Sequence, residues 1–127
     1  MNLASPTLQL DEEASVVELS DAVVALEGKE APFLILSRDP MTYMQTLWTP
    51  DGFILEYQEG SIAEHYVAEE LLTADAVCDV LTQYLQGVEE WRSAYQFSNK
   101  GIAGLSWRIG HLLGWLSGRI CALFRRS

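Results

Sequence analysis

The stretch from Phe33 to Gly60 constrains the fold more than any other part of the chain. Phe33-Leu34-Ile35-Leu36 is a continuous apolar run of strand length, the pattern of a strand buried on both faces. Asp39-Pro40 breaks it. Met41 to Trp48 is rich in β-formers, with Thr42, Tyr43, Thr46 and Trp48. Thr49-Pro50-Asp51-Gly52 then reverses the chain, because Pro50 presets φ and Gly52 accepts a positive one. Phe53 to Gln58 alternates, placing Phe53, Leu55 and Tyr57 on one face and Ile54, Glu56 and Gln58 on the other. Glu59-Gly60-Ser61 turns again. Glu64 to Ala68 reads as a fourth strand, with His65 and Val67 on one face and Tyr66 on the other. Connections this short leave only antiparallel neighbours. The segment therefore predicts an antiparallel meander of about four strands.

Helices flank the meander. Val16, Leu19, Val23 and Leu26 recur at helical spacing between a capping Ser15 and Gly28, so a helix is expected over Ser15–Glu27. After the strands, Thr73 caps a second helix, and Asp75 suits the positive end of its dipole. Val77, Val80, Leu81, Tyr84, Leu85 and Val88 form its apolar stripe, and Gly87 weakens or ends it. Glu89-Glu90-Trp91-Arg92 begins a further turn or short helix. Leu8 and Leu10 alternate in the lead-in and suit a short edge strand. The expected class is α+β: a helix before the meander, a helix after it, and a C-terminal amphipathic helix. At 127 residues, 49% of them hydrophobic, the chain is one ordinary domain and not a long disordered protein.

Charge divides the chain. All 18 acidic residues lie at or before Glu90, and only Lys29 and Arg38 oppose them there. From Arg92 onward stand six cations and no acid. This asymmetry separates an acidic body, residues 1–98, from a basic amphipathic tail, residues 99–127, with Asn99-Lys100-Gly101 as the hinge. An acidic body attracts basic partners and repels nucleic acid and membrane surfaces. In the tail, Ile102, Leu105, Ile109, Leu112, Leu116, Ile120 and Leu123 step by three or four residues into one stripe. The stretch free of Lys and Arg, Ile109–Gly118, is too short to span a bilayer, which takes about 20 apolar residues. Trp107, Arg108, Trp115 and Arg119 suit an interfacial helix. Gly110, Gly114 and Gly118, four apart, form a small-residue ridge suited to close helix approach. Those seven residues are the candidate tail interface. Alternatively, the stripe completes the core of the body.

The order of elements carries a family resemblance over roughly residues 15–97. A helix reading Asp21-Ala22-Val23-Val24-Ala25-Leu26-Glu27-Gly28 leads into Pro32-Phe33-Leu34-Ile35-Leu36. Tyr43-Met44-Gln45 follows, then Gly52-Phe53-Ile54-Leu55-Glu56-Tyr57-Gln58-Glu59-Gly60, then His65-Tyr66, and then a helix with Tyr84-Leu85-Gln86-Gly87 and Glu90-Trp91. This pattern resembles small bacterial α+β proteins akin to the deaminase-associated immunity proteins of polymorphic toxin systems. The resemblance implies a cytoplasmic antitoxin that binds and blocks a secreted toxin. The tail lies beyond it.

No catalytic or metal-ligating spacing accompanies these elements. Cys78 and Cys121 make neither a disulfide framework nor a zinc motif. Cys78 reads as core beside the second helix's stripe. His65 and His111 have no ligand neighbour three or four residues away. Glu56, Glu64 and His65 are the one constellation that could do acid–base work, as in a small hydrolase. Without a nucleophile or a phosphate-binding loop, they read instead as a solvated sheet face. Glu12-Glu13 and Glu69-Glu70 read as solvated pairs. With no basic–apolar leader in the first residues, the expected address is the cytoplasm, with membrane contact only through the tail. The expectation is a non-enzymatic binding protein with no cofactor, no metal and no nucleic acid, and with a basic toxin as partner. A peripheral membrane or helix-pairing adaptor working through the tail is the alternative. Tyr43, Gln45, Tyr57 and Tyr66 are the candidate anchors, with Glu56 and Glu64 as a charged rim.

Overall fold

The structure, a computed structural model, describes residues 1–30 and 32–101. Its elements in chain order are β1 (Asn2–Ser5), β2 (Leu10–Glu13), α1 (Val16–Ala25), β3 (Phe33–Asp39), β4 (Thr42–Thr49) and β5 (Gly52–Glu59). A 3₁₀ turn (Ile62–Glu64), β6 (His65–Ala68), α2 (Ala74–Gln86), α3 (Trp91–Ala94) and β7 (Phe97–Asn99) follow. The expected C-terminal helix and the whole candidate tail interface, from Trp107 to Arg119, lie outside the described residues.

The class is α+β, and the sheet is larger than expected. Seven strands, not four, run in the order β2-β1-β3-β4-β5-β6-β7, and every neighbouring pair is antiparallel. The four expected strands are β3 to β6. The additions are the N-terminal hairpin, whose β1 pairs with β3, and β7, which closes on β6. Asn2-Leu3-Ala4-Ser5 and Phe97-Ser98-Asn99 are too short to show a period of two, so only pairing reveals them as strands. Glu64 belongs to the 3₁₀ turn and not to the strand.

The helices follow their caps. Ser15 accepts a hydrogen bond from the Glu18 N–H at the start of α1. Thr73 accepts one from the Ala76 N–H at the start of α2. Gly87 ends α2 with φ +78, a left-handed turn that costs a Cβ-bearing residue energy. In α1 the buried residues are Leu19, Ala22 and Val23, with Leu26 just beyond. Val16, expected on the stripe, is 43% exposed, because it stands at the first turn before the helix settles over the sheet.

Register assigns every side chain to a face. Leu36 pairs with Met44, and Met44 with Tyr57. Leu34 likewise pairs with Thr46, and Thr46 with Leu55. This first face packs beneath α1 and α2, where Leu19, Val23, Val77, Val80 and Leu81 complete the main core. At one end, Trp91 of α3 is 1% exposed, and its ring meets the Tyr57 and Phe97 rings edge-on at 4.9 and 5.7 Å. The second face carries Phe33, Ile35, Tyr43, Gln45, Ile54, Glu56, Gln58 and His65. Among the described residues no helix packs on it.

Candidate functional site

The expected anchors separate onto the two faces. Alternation along β4 and β5 puts Tyr43, Gln45 and Glu56 on the second face, and Tyr57 on the first with Tyr66 opposite it. Tyr43, Gln45, Glu56 and Tyr57 are all buried. The reason differs by face. Tyr57 stacks on Tyr66 at 4.8 Å and lies beneath α3, while the other three belong to a buried polar cluster. Glu64 and Tyr66 keep access to solvent and pair with each other, the Tyr66 hydroxyl donating to Glu64. That bond raises the phenol's pKa. Of the expected acid–base group, Glu56 and His65 come together, and Glu64 does not join them.

The cluster has a determinable proton arrangement. Gln58 Nε2 donates to the Met41 carbonyl at 3.1 Å, which orients the amide. Gln58 Oε1 then accepts from the Tyr43 hydroxyl at 3.1 Å and faces His65 Nδ1 at 3.2 Å. Nδ1 must therefore carry a proton. His65 Nε2 makes no well-aligned hydrogen bond and stands 3.5 Å from Glu56 Oε2, which also accepts from Gln45 Nε2. Burial, with the nearby Glu56 charge, pushes the Tyr43 phenol far above its usual range, so it stays a donor. His65 is 0% exposed, which leaves the pair no contact with solvent or substrate in this arrangement. It is a desolvated, hydrogen-bonded cluster, not the solvated sheet face that the sequence suggested. Gln58, its central member, was outside the expected site. Its signal was the i, i+2 relation to Glu56 on one strand.

A different surface is open. The outer side of α1 exposes Val17 at 77% and Val24 at 55%, one above the other at i, i+7. Beside them, a groove of about 340 Å³ runs between α1 and the N-terminal hairpin. Its floor is Leu8, Leu10, Ala22 and Ala25, and its rim is Glu12, Glu18 and Asp21. Glu12 and Glu18 share a hydrogen bond and repel as charges, and together these raise the Glu12 pKa. The sequence signal for this surface was the pair of doublets Val16-Val17 and Val23-Val24. A helix cannot bury both members of such a doublet on one narrow stripe.

The cations of the described body are largely engaged. Arg38 lies 4.7 Å over the Tyr84 ring and donates to the Tyr84 carbonyl. Arg92 pairs with Glu59 and Glu89 and lies over the Trp91 ring. Burial opposes the Arg92 charge, but Glu59 and Glu89 outweigh it and raise its pKa. Cys78 is half-buried against the main core, and burial pushes its thiol upward, away from reactivity. Among the described residues no group of His, Cys, Asp or Glu is placed to hold a metal ion, and no helix is long and apolar enough to cross a membrane. Comparison with protein-family models, curated proteins and solved structures finds no match to this chain.

Proposed function

We propose that this chain is a non-enzymatic binding protein, an immunity protein that occludes a basic toxin in the cytoplasm. The observation that carries this reading is the α1 surface: exposed Val17 and Val24 beside an apolar-floored groove with an acidic rim. An apolar centre ringed by charge is the anatomy of a protein–protein interface. The sign of the rim selects the partner. Toxins that act on nucleic acid are commonly basic, because their substrates are anionic. Acidic residues far outnumber cations in the body, so it steers such a partner inward from a distance, and the valines then set the lifetime of the complex. Glu64 and Tyr66 offer a second, smaller polar contact.

The test is co-expression with the product of the neighbouring gene, followed by stopped-flow association at low and high salt. A complex is expected, with an association rate that falls as salt rises. No complex would sink the immunity reading, and a tight complex whose rate ignores salt would sink the steering argument. For the non-enzyme reading, any activity of the purified chain should survive His65→Ala and Glu56→Gln. A large loss of turnover with the fold intact would overturn it.

A further inference from the structure

The groove beside α1 combines two chemistries. Leu8, Leu10, Ala22 and Ala25 give it an apolar floor, and Glu12, Glu18 and Asp21 form its rim. Glu12 comes from β2 and the other two acids from α1, so two elements bring three carboxyl groups to one opening. Among the described residues that line it there is no cation. The N-terminal amine is turned to Glu13 at 3.4 Å, which alternation along β2 places on the other face of the sheet. Glu12 and Glu18 share a hydrogen bond at the rim and raise the Glu12 pKa, as two carboxyl groups do when their charges oppose each other. At about 340 Å³ the groove is at the low end of ligand pockets, which run roughly 300–1,000 Å³.

We propose that this groove receives one arginine side chain of the binding partner, with its methylenes on Leu8, Leu10, Ala22 and Ala25 and its guanidinium against Glu12, Glu18 and Asp21. Charge selects the occupant. A second copy would bring another acidic body, and nucleic acid or an anionic membrane would bring phosphates, so the rim repels all of them. A purely apolar ligand would cover the floor and leave the two carboxyl groups opposed. A side chain that is apolar along its stem and cationic at its end answers both parts. Arginine answers them better than lysine, because its planar fork of five N–H donors can serve several carboxylates at once. This inference rests on the reading of the α1 surface as an interface, and not on the partner being a toxin.

The test needs no toxin. The full chain, labelled with carbon-13 at methyl and carboxyl groups, is titrated with N-acetyl-arginine methylamide at constant ionic strength. Saturable shifts are expected at the methyls of Leu8, Leu10, Ala22 and Ala25 and at the Glu12 and Glu18 carboxyls. The Glu12 pKa should fall as the probe binds, because a nearby cation favours the charged form. Citrulline in the same blocked form keeps the stem without the charge, and guanidinium chloride keeps the head without the stem. Each should bind at least about threefold more weakly, and so should the arginine probe to Glu18→Gln. Glu18 is exposed, so this variant keeps the fold. Equal binding of citrulline, carboxyl shifts without methyl shifts, or shifts that never saturate would each overturn the proposal. Nuclear Overhauser contacts between these methyls and an arginine of this chain, before any probe is added, would overturn it as well. If the probe binds as expected but the neighbouring gene product forms no complex, the immunity reading fails and the groove proposal stands.

Discussion

The two faces of one sheet are built on different physics. The first face meets α1 and α2 through aliphatic and aromatic side chains, with Leu34, Leu36, Met44 and Leu55 fully buried. Its stability comes from area removed from water, and it tolerates small shifts because dispersion is not directional. The second face has a small apolar cluster of Phe33, Ile35 and Tyr43, and the rest of its centre is Gln45, Glu56, Gln58 and His65. Here each group depends on a particular partner, so removing one strands another. The comparison teaches that burial by itself does not make a hydrophobic core. A polar face can be equally dry when its hydrogen bonds close on one another.

The largest expected effect is on the first face. Trp91→Ala should destabilise the protein by about 3–5 kcal/mol, because it removes a ring in edge contact with Tyr57 and Phe97. Urea denaturation followed by circular dichroism measures this. A loss below about 1 kcal/mol would mean that the aromatic end of the core is peripheral.

On the second face the expectation is of another kind. Glu56→Ala leaves the buried Gln45 amide without its acceptor and should cost about 1–3 kcal/mol. The double change Gln45→Leu with Glu56→Leu removes both ends of one bond and should recover much of that loss. If the double variant is as unstable as the sum of its single changes, the two side chains act independently and the contrast between the faces fails.

Outside both faces, Val17→Asp and Val24→Asp should leave stability within about 0.5 kcal/mol, as for other exposed positions. They should nevertheless weaken partner binding by about tenfold or more, the mark of an interface centre. Calorimetry on the co-expressed complex separates the two effects, and unchanged binding would remove α1 from the interface.

The smallest effect is electrostatic. The Glu12 pKa is raised in the folded protein, so folding favours its protonated form. That stability is present at acid pH and is lost as pH rises through the raised value, where Glu12 and Glu18 are both charged. Glu12→Gln should therefore raise the melting temperature slightly at pH 7, with the difference disappearing below about pH 4. A difference that grows toward acid pH would show that the two carboxylates do not couple.

Local patterns in the sequence carried much of the fold. Ser15, Thr73 and Gly87 marked helix ends through their own side chains or backbone freedom. Thr49-Pro50-Asp51-Gly52 imposed its turn through Pro50 and through Gly52, whose φ of +144 a residue with a Cβ rarely adopts. Alternation in β5 separated Glu56 from Tyr57, and only the register with β4 put Tyr43 and Gln45 on the Glu56 face. The apolar run Phe33–Leu36 announced a strand buried on both sides, and all four residues are buried. These are short-range effects, written within a few residues. What only tertiary structure decided was which groups are dry. β1 and β7 exist because β3 and β6 offer unpaired edges, not because their own three or four residues favour strand. Glu56 and His65 look like solvent-facing residues until the β5–β6 register sets His65 opposite Gln58 and within 3.5 Å of Glu56. Burial is a property of what lies on top, and that contact joins residues far apart in the chain, where sequence periodicity carries no information.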